Sequence, residues 1–311
     1  MSELEIKQAW VFPGVGVKPC GQETVLFREF SVIFQEFFSE TSRISGRNLT
    51  WLRETTETEF PAGLDEQLAS FSFACAMVEM LRVAGRTPDI LAGNSFGVYP
   101  AVWAAGALDF AACIGILTRA YQHMEAAARV WPASLCAIVG LAAAENQAII
   151  AGAGLNSVVR INSNNHTCHI YCGLQAEITD FAAACQSAGA LNAAILPMAL
   201  PYHHPKFTAG VSAIFADEVQ ALDWRQPLVP VLSTLDFQVL DNAASLAEYV
   251  SRQIFQPINW AESVSGLYRL GITQVYECGV GISLTQNARF IDGAAHWHNC
   301  RTLSRKLASH G

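Results

Sequence analysis

The chain has 311 residues, of which 51% are hydrophobic and 15% charged, and its formal net charge is −8. A chain of this length and composition can bury a large core, and we expect one large α/β domain with a smaller insertion. The negative charge argues against nucleic acid as a partner, and every apolar run is interrupted well before the ~18 residues that a membrane span requires.

The amino terminus and the cysteines predict a cellular compartment. The first residues, MSELEIKQAW, are acidic and lack the basic and then apolar order of a signal peptide, so we expect a cytoplasmic protein. The 9 cysteines are scattered without a paired framework, which predicts reduced and mostly buried thiols. The segment HTCHIYC, from His166 to Cys172, lacks a second ligand pair at zinc-finger spacing. We interpret it as a half-buried strand and expect no metal site.

The first part of the chain alternates predicted strands and helices. QAWVFPG, at 8–14, indicates a buried strand that ends in a Pro-Gly turn. DEQLASFSFACAMVEMLRVAG predicts a buried helix that ends at Gly85, and DILAG predicts the next strand. VYPAVWAAGAL and DFAACIGILTRAYQHMEAAARV then predict two helices, the second with Asp109 as its N-cap. This order is typical of an α/β domain.

The stretch DILAGNSFGVYPA, at 89–101, places a serine at the strand-to-helix turn. Ser95 lies between Gly93 and Gly97, where side chains would collide with the neighbouring strand and helix. Such a turn exposes the serine hydroxyl above the sheet, and backbone N–H groups at the start of the helix point at an oxyanion formed there. The pattern therefore predicts a nucleophile for acyl transfer.

The pattern changes after the serine region. From about residue 131, SLCAIVGL, AAENQAIIAGAG, SVVRINS, CHIYCG, QAEITDFAAACQSAG and LNAAILPM read as strand, helix, strand, strand, helix and strand. This order predicts a ferredoxin-like subdomain at 129–198, inserted into a large domain formed by 1–128 and 199–311. The returning chain contains LPYHHPKF, a long helix, the strand PLVPVLS, the strand ITQVYECG and a terminal helix.

An ordered set of motifs covers almost the whole chain: VFPGVG, AGNSFGVYPA, LTRAYQHMEA, AIVGL, INS, LPMALPYHHP, RQIFQPINWAESV and YECGVGISLT. With this set the sequence resembles the malonyl-CoA:acyl-carrier-protein transacylase family and the related acyltransferase domains of polyketide synthases. A lone Gly-x-Ser-x-Gly would leave lipases and thioesterases equally open. The resemblance implies a hydrolase-like large α/β domain with a parallel-sheet core and an inserted ferredoxin-like subdomain.

The resemblance also assigns catalytic roles. Ser95 matches the nucleophile that takes an acyl group from a coenzyme A thioester, and His203 matches the general base, although His204 beside it is a second candidate. The backbone carbonyl of Gln253 is expected to accept a hydrogen bond from the Nδ1–H group of the histidine, so that side-chain identity at 253 should matter little. Gln256 lies three positions further on and is an alternative match for this glutamine of the family motif.

Further residues are assigned to the oxyanion and to the substrate. The backbone N–H groups of Val15 and Phe96 are expected to form the oxyanion hole. Arg119 is expected to bind the free carboxylate of a malonyl or substituted malonyl group through two hydrogen bonds, and the alternative is a surface arginine on a helix. The implied partners are malonyl-CoA and an acyl carrier protein with its phosphopantetheine arm, and no bound cofactor is expected.

Departures from the family pattern keep other functions open. Asn94 and Val98 stand where the family usually has histidine and glutamate, which favours a polyketide or other specialised pathway over housekeeping fatty-acid synthesis. One alternative is an acyl hydrolase of the same fold that clears acyl groups from carrier proteins. Another is a non-catalytic module that binds carrier proteins. Retention of Ser95 and His203 argues against the second.

Overall fold

The computed structural model describes residues 7–49 and 63–308. Its strands are β1 (Gln8–Phe12), β2 (Ile90–Gly93), β3 (Ala133–Val139), β4 (Val159–Asn165), β5 (Cys168–Leu174), β6 (Asn192–Ile195), β7 (Val231–Leu232), β8 (Val239–Leu240), β9 (Gln274–Glu277) and β10 (His296–His298). Its helices are α1 (Glu23–Glu29), α2 (Ser31–Ser45), α3 (Leu64–Val83), α4 (Val98–Ala104), α5 (Phe110–Val130), α6 (Ala143–Ala153), α7 (Gln175–Ser187), α8 (Pro205–Gln220), α9 (Ala243–Gln253), α10 (Trp260–Arg269), α11 (Ser283–Ala288) and α12 (Cys300–Ala308).

The larger sheet has the strand order β10-β9-β1-β2-β7-β8. Its pairs are parallel except for β7 with β8. Trp10 and Phe12 of β1 enter the hydrophobic core on one face, while Ala9 and Val11 enter the core on the other. Burial on both faces is what a parallel sheet covered by helices requires. The predicted α/β class with a parallel core is confirmed.

The smaller sheet is antiparallel, with the strand order β4-β5-β3-β6. Together with α6 and α7, its strands follow the predicted ferredoxin-like order along the chain. One face packs on α6 and α7 through Ile150, Ile178 and Phe181. The other face contacts Phe207 at the start of α8, so the small sheet lies against the segment that carries the two histidines.

Local signals of the sequence position several elements. Helix α3 is followed by Gly85 with a φ of +71°, and the Asp109 side chain accepts a hydrogen bond from Ala112 N at 2.7 Å, as its N-cap role predicts. The HTCHIYC segment enters β5, and the His169 ring contacts the Ser163 hydroxyl and the His166 carbonyl. Helices α1, α2, α9, α10 and α11 and strands β8 and β10 are not among the predicted elements. In the described ranges, the helices are too short or too polar to cross a membrane.

Candidate active site

Ser95 lies in a short turn between β2 and α4 and has a φ of +57°. A Cβ atom on Gly93 would lie 2.3 Å from the backbone of Gly97 and Val98, and one on Gly97 would lie 2.2 Å from the carbonyl oxygen of Phe12. Neither position can accept a side chain without moving the backbone. The two glycines therefore let the helix follow the strand this closely, and the serine takes the left-handed conformation that the turn imposes.

The hydroxyl of Ser95 lies beside His203. The distance from Ser95 Oγ to His203 Nε2 is 2.7 Å. His203 also has a left-handed backbone, with a φ of +63°, and its backbone N–H donates a hydrogen bond to Ile254 O at 2.7 Å. Such conformations cost of order 1–3 kcal/mol each and persist where the surrounding structure enforces them. Both residues of the pair are thus held in unfavourable backbone conformations, a property that clusters at functional sites.

Two backbone carbonyls fix the tautomer of His203. Its Nδ1 lies 2.9 Å from Gln253 O and 3.0 Å from Gln256 O. Because carbonyl oxygens only accept hydrogen bonds, Nδ1 carries the proton and Nε2 is free to accept the proton of the serine. Burial lowers the pKa of His203 to about 4, although the two carbonyls act in the opposite direction. The imidazole is therefore neutral near pH 7 and can act as a base.

The side chain of Gln253 contacts the serine turn directly. Gln253 is fully buried, and its Nε2 donates a hydrogen bond to Ser95 O at 2.8 Å. One residue thus orients the histidine through its carbonyl and supports the serine through its amide. The sequence predicts little effect of the side chain at 253, whereas this contact leads us to predict an effect. No sequence pattern indicated it, because the two residues are 158 positions apart.

His204 has a different set of contacts from His203. Its Nε2 donates to Ser157 O at 2.9 Å, and its Nδ1 accepts a hydrogen bond from Phe207 N at 3.2 Å. The ring also stacks on Phe207, with 3.8 Å between the ring centroids. His204 therefore caps α8 and joins it to the small subdomain. Of the two candidate bases, the structure brings His203 to the serine.

The two expected oxyanion donors lie on segments that adjoin the serine. Phe96 follows Ser95 in the turn, and the Pro13-Gly14 turn lies on its other side, where a Cβ on Gly14 would be 3.7 Å from the Cβ of Ser95. Gly14, Phe96 and Val280 line a small pocket at this point. Val15 follows directly after this turn. Donation by the N–H groups of Val15 and Phe96 to an oxyanion stays a prediction.

Arg119 lies on α5, and 62% of its side chain is exposed. Its Nε is 3.9 Å from Glu218 Oε1 on α8, and the other oxygen of Glu218 is 2.8 Å from His123 Nε2. Among the contacts of the described residues, none joins Arg119 to Ser95 or His203. Substrate binding by Arg119 therefore stays a prediction. The structure adds Glu218, a partly exposed carboxylate that contacts both Arg119 and His123 and that sequence reasoning missed.

A second missed residue connects the small sheet to the serine turn. Asn162, on β4, donates from Nδ2 to Asn94 Oδ1 at 3.2 Å, and its own Oδ1 accepts from Trp260 N at 3.3 Å. Asn94 stands where the resembled family usually has a histidine, so two neutral amide side chains, those of Asn94 and Asn162, occupy this position. The INS motif, at 161–163, was the available signal for Asn162. Tyr202, next to the histidine, accepts a hydrogen bond from Gln67 Nε2 at 3.2 Å.

Known proteins are similar to this chain in sequence and in fold. No model of a protein family matches the chain. The malonyl CoA-acyl carrier protein transacylase of Escherichia coli (strain K12) is 27% identical over 280 residues, covering 89% of this chain and 90% of that protein. The solved malonyl-CoA:acyl carrier protein transacylase of Xanthomonas oryzae pv. oryzae is 26% identical, with a TM-score of 0.88 over 98% of both chains.

A further solved structure shares the fold. It is a type II polyketide synthase acyl-carrier protein in complex with its malonyl-transacylase, at 24% identity and a TM-score of 0.86, and the match covers 94% of this chain and 95% of that one. The likeness in sequence and fold thus extends over nearly the whole length of the protein. The chain is similar in sequence and in fold to the malonyl-CoA:acyl-carrier-protein transacylases, which its ordered motifs also resemble.

Proposed function

We propose that the protein is an acyltransferase that moves a malonyl group from coenzyme A to the phosphopantetheine thiol of an acyl carrier protein, through an ester on Ser95. The observation that carries this proposal is the 2.7 Å contact between Ser95 Oγ and the neutral, buried His203. The names of the relatives supply the substrate class, since they describe malonyl transfer from coenzyme A to a carrier protein.

In the first half-reaction, His203 Nε2 takes the proton of the Ser95 hydroxyl while Oγ attacks the thioester carbonyl. The N–H groups of Phe96 and Val15 stabilise the oxyanion of the tetrahedral intermediate. When the intermediate collapses, the C–S bond breaks, and the leaving coenzyme A thiolate takes the proton from His203. The products of this half-reaction are the malonyl ester of Ser95 and free coenzyme A.

The second half-reaction uses the same groups in the reverse order. The pantetheine thiol gives its proton to His203 Nε2 and attacks the ester carbonyl, and the serine alkoxide regains that proton as the new thioester forms. In both halves the imidazolium is transient. The carbonyls of Gln253 and Gln256 accept hydrogen bonds from His203 Nδ1–H, with N···O distances of 2.9 and 3.0 Å, so they orient the ring without a neighbouring negative charge. A weakly held proton at Nε2 is readily returned to a thiolate or alkoxide.

The free carboxylate of the malonyl group is assigned to Arg119 in this proposal. A guanidinium and a carboxylate form two parallel hydrogen bonds, a geometry that lysine cannot reproduce. The existing contact of Arg119 with Glu218 is 3.9 Å long, and the arginine is mostly exposed. Exposed pairs of this kind contribute about 0–1 kcal/mol, so the side chain is free to turn toward a substrate. Asn94 and Val98 are the departures that favour a polyketide or other specialised pathway.

The experiment separates transfer from hydrolysis. The purified protein is incubated with malonyl-CoA and a holo acyl carrier protein, and malonyl-carrier and free malonate are measured over time by mass spectrometry and liquid chromatography. The apo carrier protein, which lacks the pantetheine thiol, is the control. We expect malonyl-carrier to form faster than malonate with the holo protein. Malonate release that exceeds loading and is unchanged by the holo carrier would instead identify a hydrolase.

A further inference from the structure

Three residues from distant parts of the chain meet beside the loop that follows β1. Cys20 precedes α1, Glu23 is the first residue of α1, and Cys300 is the first residue of α12. The two sulfur atoms are 3.2 Å apart, and the donor atoms of all three residues lie within 4.8 Å of one another. Within residues 7–49 and 63–308, these three side chains form a group of cysteine and acidic residues that lie close enough together to hold a metal ion.

The carboxylate of Glu23 is the second observation. Glu23 is 2% exposed, and its Oε1 accepts hydrogen bonds from Cys20 N at 2.9 Å and Gly281 N at 2.8 Å. Its other oxygen, Oε2, is buried and has no hydrogen-bond partner among the described residues. Buried carboxylate oxygens are normally paired, because burial removes their water. The oxygen that lies 3.8 Å from Cys300 Sγ is Oε1, so a cation held by the cluster would contact Oε1 and, with the carboxylate bound through both oxygens, would also supply the missing partner of Oε2.

We propose that Cys20, Glu23 and Cys300 bind a zinc ion. Thiolate and carboxylate are both established zinc ligands, at about 2.3 Å for sulfur and about 2.0–2.2 Å for oxygen. Tetrahedral geometry at these distances places two sulfur atoms about 3.8 Å apart, so the sulfurs move apart by roughly half an ångström on binding. Gly281 O, which is 3.1 Å from Cys300 Sγ, is a backbone oxygen within reach of the fourth position, and water is the other ligand available to it.

A disulfide between the two cysteines fits the cluster less well. It needs an S–S distance of about 2.05 Å, which means contraction of the sulfur pair by more than 1 Å from its 3.2 Å separation. It also leaves Glu23 Oε2 without a partner. Zinc uses all three side chains, and thiolates favour zinc over magnesium or calcium.

The metal would join segments that adjoin the serine. Cys20 belongs to the same loop as Val15, and Gly281 follows Val280, which lines the small pocket beside Phe96. The two loops are already in close contact, since a Cβ on Gly281 would lie 2.5 Å from Val17 Cγ1. Zinc would therefore hold the loop with the expected oxyanion donor in place and raise the stability of the folded protein.

Metal content tests the proposal without reference to acyl transfer. The protein is reduced, stripped with a chelator, dialysed, loaded with zinc chloride, and analysed by elemental mass spectrometry. The test variants are Cys20→Ser, Cys300→Ser and Glu23→Gln. Cys168→Ser is the matched control, because Cys168 is also partly buried and lies outside the cluster. We expect about one equivalent of zinc in wild type and in the control, and at least tenfold weaker binding in the three variants.

Cobalt(II) loading of the wild-type protein keeps the proposal testable if a variant does not fold. Two thiolate ligands give an intense sulfur-to-cobalt charge-transfer band, which should appear with about one equivalent of cobalt and disappear when zinc is added. A folded wild-type protein that binds neither metal would overturn the proposal, as would full zinc retention in folded Cys20→Ser or Cys300→Ser. If the metal-free protein binds no zinc, loses two hydrogens per chain on treatment with hydrogen peroxide, and peptide mapping places the new bond between Cys20 and Cys300, the cluster is a disulfide pair.

Discussion

Replacement of Gln253 by alanine should slow acylation of Ser95, although the backbone carbonyl that orients His203 is retained. The substitution removes the 2.8 Å hydrogen bond from Gln253 Nε2 to Ser95 O. Gln256 provides a matched control. Its carbonyl also accepts from His203 Nδ1, at 3.0 Å, but its side chain makes no hydrogen bond among the described residues. The comparison of the two alanine variants therefore isolates the contact between the amide of Gln253 and the serine turn.

The expected magnitude follows from two contributions. A neutral hydrogen bond contributes about 1 kcal/mol, and its loss leaves a buried carbonyl less well paired. The left-handed conformation of Ser95, at a φ of +57°, costs of order 1–3 kcal/mol, so a turn with less support spends more time in relaxed conformations. Together these give a loss of about 2 kcal/mol, or roughly 30-fold in acylation rate. Gln256→Ala should stay within about twofold of wild type, because its carbonyl remains.

The assay is rapid quenching of each variant with malonyl-CoA, followed by intact-mass measurement of the acylated fraction. Thermal unfolding of each variant shows whether the protein is folded at the assay temperature. Equal rates for Gln253→Ala and Gln256→Ala, with both variants folded, would refute the role assigned to the Gln253 side chain.

The remaining predictions concern the histidines and the arginine. His203→Ala should lower acylation by a factor on the order of 10² or more and His204→Ala much less, as measured by intact mass; the reverse ranking would contradict the assigned base. The pKa of His203 is lowered to about 4, so acylation should persist at pH 5 and fall as the pH drops through about 4, whereas a midpoint near 6.5 would contradict a buried neutral base. The unfolded chain binds this proton more readily than the folded chain, so His203 should lower the free energy of unfolding by about 3 kcal/mol as the pH falls from about 6.5 to 4. Urea unfolding of the wild type and of His203→Gln measures this difference. Arg119→Ala should lower the ratio of the malonyl-CoA rate to the acetyl-CoA rate, by an amount that corresponds to about 2–5 kcal/mol of transition-state free energy. Glu218→Ala should not lower this ratio. An unchanged ratio in Arg119→Ala would mean that the arginine does not contact the acyl group.

Local patterns of sequence predicted the parts of the site that depend on a few consecutive residues. The glycines at 93 and 97 fix the serine turn through contacts within the turn and with β1, so the motif alone indicated its geometry. The order of strands and helices in 133–195 similarly indicated the ferredoxin-like subdomain. The pairing of Ser95 with His203 spans 108 positions and could be predicted only from the resemblance to a known family.

Contacts between distant side chains were not predictable in the same way. Neither the hydrogen bond from Gln253 to Ser95 nor the approach of Cys20 to Cys300, which are 280 positions apart, leaves a periodic signal in the sequence. The direction of Arg119 depends on the rotation of α5 and on its packing against α8. A glutamate at 218 acquires meaning only when that packing is known.

In the proposed mechanism Ser95 carries the malonyl group during transfer, and intact-mass analysis after incubation with malonyl-CoA tests this role most directly. We expect the wild-type protein to gain the mass of one malonyl ester, peptide mapping to place it on Ser95, and holo acyl carrier protein to remove it. Ser95→Ala should remain folded and gain no mass. A malonyl adduct on the alanine variant, or an adduct mapped to another residue of the wild type that the holo carrier protein removes, would contradict the account.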